Sequence, residues 1–195
     1  MMRVFAMLLC GLFGCASASA SADEYSQRLA ASRATVAEFM QTLKRELQKG
    51  MQDGGPVNAI SVCNLTAPAI ANTYSVRKGW DVGRTSLRLR NPDNAPDAWE
   101  QAVLESFEER KQAGEAPADL EYWEVVMQDG EPVFRYMKAI PTTELCTACH
   151  GQHVDQMVKE RLRKLYPHDR ALGFRPGDIR GAFTVTQPLA ADREE

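Results

Sequence analysis

Basic residues are not in excess in this chain: Lys and Arg number 23 against 26 Asp and Glu, for a net charge of −3. That balance excludes the cationic surface that a nucleic-acid-binding protein needs. Beyond the first residues no apolar run is long enough to span a bilayer, so no membrane-spanning helix is expected in the mature protein. There is no internal repeat and no low-complexity segment after the N-terminal region. Histidine is scarce, with three residues, and cysteine amounts to five. Any chemistry that needs imidazole or thiol must therefore come from a short set of positions.

Two of those cysteines, Cys10 and Cys15, fall in the apolar start of the chain. Arg3, the run Val4 to Phe13 and the alternating Ala/Ser stretch Ala16 to Ala22 have the layout of a secretory signal. Residues 1–22 are thus expected to be a signal peptide, with Ala20-Ser21-Ala22 as the cleavage pattern. A competing reading takes Leu12-Phe13-Gly14-Cys15 as a lipoprotein signal ending before Cys15, which would then carry a lipid anchor. Loss of Arg3 with the leader leaves a net charge of −4 on residues 23–195, a length suited to one domain with its own core. Export implies a periplasmic location.

Residues 23–51 read as a long helix, with Leu29, Val36, Met40, Leu43 and Leu47 as its apolar stripe. Gly54-Gly55-Pro56 ends it and opens a second helix carrying Val57, Ile60, Cys63 and Ala67, which Pro68 kinks or breaks. From Trp80 to Arg90 the pattern has period two, with Arg84, Ser86, Arg88 and Arg90 on one face of a strand. Asn91 to Pro96 is a loop, and Asp97 caps a helix that presents Trp99, Val103 and Phe107. Leu120–Met127 and Pro132–Ile140 form a hairpin about Asp129-Gly130. Val154, Met157, Val158, Leu162 and Leu165 stripe another helix, and Gly181–Pro188 is a last strand. The class is α+β, with an antiparallel sheet flanked by helices.

Cys146-Thr147-Ala148-Cys149-His150 is C-x-x-C-H, the attachment pattern of c-type haem. Two thiols held this close can each bond one porphyrin vinyl group, and the adjacent imidazole then meets the iron. One covalent haem c is the cofactor this implies, with His150 as an axial ligand. The competing readings are a structural disulfide, a thioredoxin-like redox pair and, more weakly, a zinc site.

Cys63 is left over, an odd thiol in an oxidising compartment. It is either a small core residue or the second axial ligand of the iron. Among other donors, Met127, His153 and His168 are available by type, while His153 is too close in sequence to His150 to reach the opposite haem face. Met157 belongs with the helix stripe. Residue chemistry leaves Cys63 and Met137 both open. Arg84 and Arg135 are candidate partners for the haem propionates.

Several segments together resemble a known family. They are Ala59–Cys63 with Ala67–Ala71, Gly79-Trp80, Gly83–Ser86, Arg90–Pro92, Asn94–Glu100, Phe134–Lys138, Cys146–Gly151 and Gly177–Ala182. The family is one of exported c-type haem proteins with a PAS-like domain, catalogued as a domain of unknown function. The resemblance implies a PAS-like sheet with flanking helices and His/Cys ligation, with Cys63 at the family's ligand cysteine. It also implies a redox or sensing role rather than catalysis, because two protein ligands leave the iron no open position. A haem-based redox or gas sensor acting through a protein partner in the envelope is the leading expectation. A small electron-transfer cytochrome is the alternative, and the long first helix offers a surface for a homodimer.

Overall fold

The computed structural model describes residues 16–189, with side chains from residue 22. Cys15 and most of the expected leader therefore lie outside the described residues. Helix α1 spans Ala16–Ser61 and is interrupted where Gly54 (φ −169°) and Gly55 (φ 66°) leave helical geometry. Gly55 takes the left-handed conformation that a side chain disfavours, and Pro56 restarts the helix. A single π-helical turn, Val62–Thr66, comes next and runs directly into α2, Ala67–Lys78. The expected kink is thus realised as a π turn that contains Cys63, with Pro68 accommodated in the first turn of α2. Gly79 closes α2 in the left-handed conformation.

The sheet is built from four strands: β1 (Asp81–Thr85), β2 (Glu121–Gln128), β3 (Glu131–Pro141) and β4 (Ile179–Pro188). They form one antiparallel sheet in the order β1-β4-β3-β2. The long strand expected to run from Trp80 to Arg90 stops at Thr85. Period two fails there because Ser86 turns its hydroxyl onto the Arg180 and Arg88 carbonyls, at 2.8 and 3.2 Å. The β2–β3 hairpin turns at Asp129 (φ 54°) and Gly130 (φ 87°), the positive-φ pair that a two-residue turn requires.

The two sheet faces carry separate cores. Val36 and Phe39 of α1 and Ile70 and Tyr74 of α2 pack on Phe134, Tyr136, Phe183 and Val185. The α1 stripe is centred on Phe39 rather than Met40, which is 49% exposed. On the other face, helix α3 (Ala98–Gln112) sets Val103, Leu104 and Phe107 against Met137, Ala139 and Ala182. A third cluster, beyond the sheet, joins Ile60 of α1 to Val158 and Leu162 of a helix spanning Gln156–Leu165, α5, which comes after the short helix α4 (Glu144–His150). The α+β architecture with its long first helix is that required by the pattern of the sequence.

Asp97 caps α3 by accepting from the Glu100 amide at 2.8 Å, and its other oxygen pairs with Arg135 at 2.7 Å. Asp97→Ala removes both contacts and is expected to cost about 1–2 kcal/mol. Urea denaturation checks this; an unchanged midpoint at unchanged slope refutes it.

Candidate functional site

Helix α4 carries the C-x-x-C-H pattern from end to end. Thr143 is its N-cap, and the Cys146 sulfur folds back to within 3.3 Å of the Thr143 hydroxyl. Cys149 points the other way, packing on the third cluster with its sulfur 3.9 Å from the Pro56 carbonyl of α1. Cys63, Cys146 and Cys149 are all free thiols. Burial pushes the Cys149 thiol up to about 11, against the opposing pull of Arg90. Gly151 ends the helix by donating to the Thr147 carbonyl at 2.9 Å. A Cβ at Gly151 would collide with that same carbonyl, so the residue after the histidine must be glycine in this geometry.

A strap formed by residues 169–174 lies against the end of α4. Phe174 and Gly173 donate backbone N–H groups to the carbonyls of His150 and Gly151, each at 2.9 Å. The His150 Nδ1 lies 2.8 Å from the Ala171 carbonyl. That carbonyl accepts the Nδ1 proton, which leaves Nε2 with its lone pair, the form in which imidazole binds a metal. Phe174 stands edge-on to the ring, with centroids 6.2 Å apart and planes at 88°. Burial, aided by Arg180 and Arg90, holds the imidazole well below its ordinary pKa, so the ring is neutral at neutral pH.

Three arginines crowd this pocket. Arg90 is buried and pairs with buried Asp169 at 3.0 Å. It also donates to the carbonyls of Cys149 at 2.6 Å and Ala171 at 3.2 Å, and its Nη1 sits 3.3 Å from His150 Nε2. Arg180 reaches the imidazole from β4, its Nε 3.5 Å from Nε2, and its Nη1 donates to the Ser86 hydroxyl at 3.0 Å. Arg84 leaves β1 over the Phe39 ring, 5.9 Å from its centroid. Burial lowers both, Arg180 to about 10, with neighbouring Arg90 and Arg84 adding to the effect on Arg180. Neither has a carboxylate partner among the described residues.

The residues singled out from the sequence divide between two regions. Cys63 stands half-buried on its π turn between α1 and α2. Met137 and Arg135 lie on the other face of the sheet. Met137 is fully buried against α3, and Arg135 is engaged by Asp97 and Glu100 and stacked on Trp99 at 4.3 Å. Strand alternation turns Arg135 to the α3 side, where Asp97 and Glu100 already supply the carboxylates that a propionate would otherwise provide. Met157 is exposed rather than part of the α5 stripe, and Met127, His153 and His168 are exposed as well. Sequence reasoning misses the roles of Arg90, Asp169, the Ala171 carbonyl, Arg180 and Phe174. Arg90 and Arg180 do lie in segments marked by the resemblance, whereas nothing in the sequence distinguishes Asp169 from a surface acid.

Fold and site together define an α+β domain built around a dithiol helix, a neutral half-buried imidazole and a cluster of cations. Residues 16–188 match the Tll0287-like family, and the chain belongs to that family. Among solved structures it is similar to the crystal structure of the cyanobacterial heme-protein Tll0287, at 25% identity and a TM-score of 0.64. The match covers 85% of this chain and 98% of that one. No sequence among the curated proteins matches it. Among the described residues no helix is long and apolar enough to cross a membrane.

The raised Cys149 pKa has a measurable consequence in protein with free thiols. Below the ordinary thiol pKa the folded state keeps the full benefit of burying a neutral group, and that benefit is lost as pH rises from about 9 through about 11. Alkylation of Cys149 by iodoacetamide, followed by mass spectrometry, is expected to rise with a midpoint at a pH of about 11. A midpoint at the ordinary thiol value would refute the burial.

Proposed function

We propose that this chain is an exported c-type haem protein acting as a haem-based redox or gas sensor in the periplasm. Cys146 and Cys149 would hold the porphyrin by thioether bonds, and His150 Nε2 and the Cys63 sulfur would ligate the iron. The observation that carries the reading is the donor set itself. A dithiol and a neutral imidazole lie on one short helix, with the imidazole proton held by Ala171 and the lone pair kept on Nε2, which Arg90 Nη1 faces at 3.3 Å. The resemblance to a family with His/Cys ligation supports Cys63 as the second ligand.

The charges of the pocket fit the group. Arg90 is balanced by Asp169, while Arg84 and Arg180 are half-buried without a carboxylate partner among the described residues. Two uncompensated guanidiniums match the two propionates of haem, a charge-assisted pairing that Arg forms well. Arg84 and Arg180 are accordingly the proposed propionate partners. Bound haem supplies a one-electron ferric/ferrous couple, whose potential a sulfur donor opposite imidazole keeps low. The residues of the chain position that couple: Ala171 fixes the imidazole tautomer, Phe174 limits its rotation, and the third cluster keeps water from Cys149. Cys63 stands on a π turn, an irregularity of the helix that recurs at functional sites.

Absorption and EPR spectra of holoprotein made with its haem-attachment machinery test the reading. The expected result is a haemochrome typical of two thioether bonds, with a low-spin ferric signal. Cys63→Ala should alter the ferric spectrum and raise the reduction potential, whereas Met137→Leu should leave both unchanged and cost under about 1.5 kcal/mol of stability. An unaltered spectrum in Cys63→Ala would sink the sulfur ligation. Displacement of Cys63 by CO or NO marks a sensor; fast electron exchange without any response to gas marks a carrier instead.

A further inference from the structure

Among the described residues, Asp169 is the one carboxylate that reaches the arginine cluster around His150, and its two oxygens perform different tasks. Oδ2 accepts from Arg90 Nε at 3.1 Å and Nη2 at 3.0 Å. Oδ1 accepts from the Ala171 amide at 2.8 Å. Ala171 is the residue whose carbonyl takes the His150 Nδ1 proton at 2.8 Å. Arg90 in turn donates to the carbonyls of Ala171 and Cys149, on either side of the imidazole. The strap is therefore fixed against α4 by Asp169 together with the two backbone bonds made by Gly173 and Phe174.

We propose that Asp169 is a positioning residue for the iron ligand: it locks the Ala171 carbonyl on His150 and sets the charge felt at the iron. This rests on the haem reading above. Fixing Ala171 from its amide side and its carbonyl side keeps the imidazole proton on Nδ1 and the lone pair on Nε2, the nitrogen that Arg90 Nη1 faces at 3.3 Å. The carboxylate also offsets Arg90, whose cation would otherwise favour the ferrous state. Asp169→Asn keeps an oxygen for the Ala171 amide and removes the charge. Asp169→Glu keeps the charge and moves the oxygen that caps Ala171.

The experiment uses holoprotein of the wild type and both variants, with two readouts. One is the reduction potential; the other is the exchange rate of the His150 Nδ1 proton, read by NMR in the diamagnetic ferrous form. Asp169→Asn should favour the ferrous state by roughly tenfold, which is about 59 mV for one electron. Asp169→Glu should hold the potential while exchanging the Nδ1 proton at least about 10-fold faster, in line with the usual loss on removing an outer partner of a ligand. Should Asp169→Asn not fold, the Asp169→Glu exchange rate decides alone. Wild-type potential in Asp169→Asn, or wild-type exchange in Asp169→Glu, overturns the proposal. Absence of a haem spectrum from wild-type protein is a separate outcome that overturns the haem reading and the proposal with it; a normal spectrum with unmoved readouts overturns the proposal alone.

Discussion

The buried ion pair between Arg90 and Asp169 is the interaction on which the arrangement of the site depends. Its side chains are only 5% and 7% exposed, so both ions have lost most of their hydration. Such a pair does not stabilise a fold by Coulomb attraction alone, because desolvation of each ion costs several kcal/mol. It is sustained here by the further bonds each partner makes. Arg90 donates to two backbone carbonyls, and Asp169 accepts a backbone amide. Those bonds join three segments far apart in sequence: the loop after β1, the end of α4 and the strap after α5. Removing either partner alone would leave a charge stranded in the interior, a loss of about 3–5 kcal/mol.

The other side of the site is shaped by backbone irregularity rather than by charge. Helix α1 cannot pass straight from Gly50 to Ala67, because Gly54 and Gly55 break it and the turn at Val62–Thr66 winds too wide. A π turn adds a residue to the helical repeat and so rotates α2 relative to the end of α1. Ile60 faces the third cluster while Ile70 faces the sheet, and Cys63 falls between them. The irregular turn lets one continuous helical segment serve two cores, and the cysteine sits where the two faces change over.

Periodicity made the fold largely legible. The hairpin was written in Asp129-Gly130, the α3 cap in Asp97, and the break in α1 in Gly54-Gly55-Pro56, since each depends on local backbone chemistry. Local patterns failed where distant partners decide. The apparent strand beyond Thr85 ended because Ser86 is taken by the carbonyl of Arg180, a residue 94 positions away. Arg135 and Arg84 looked equivalent as isolated cations, yet the register of β3 and β1 sends them to opposite faces. The C-x-x-C-H pattern needed no structure to be noticed. Its supporting shell did, because a backbone carbonyl such as that of Ala171 carries no sequence signature at all.

The cluster also explains why its cations are arginines. Burial beside two like charges brings Arg180 down to about 10, and it still carries its proton at any physiological pH. A lysine begins near 10.4, so the same burial and like charges would bring its pKa closer to neutrality. Its single ammonium would also lack the planar fork that reaches the Ser86 hydroxyl and the imidazole at once. An acidic ligand group brought to Arg84 and Arg180 would thus meet two permanent positive charges, whatever its own protonation does. Charge that cannot be titrated away is what an anion site requires, and it leaves His150 neutral next to cations that keep their own protons.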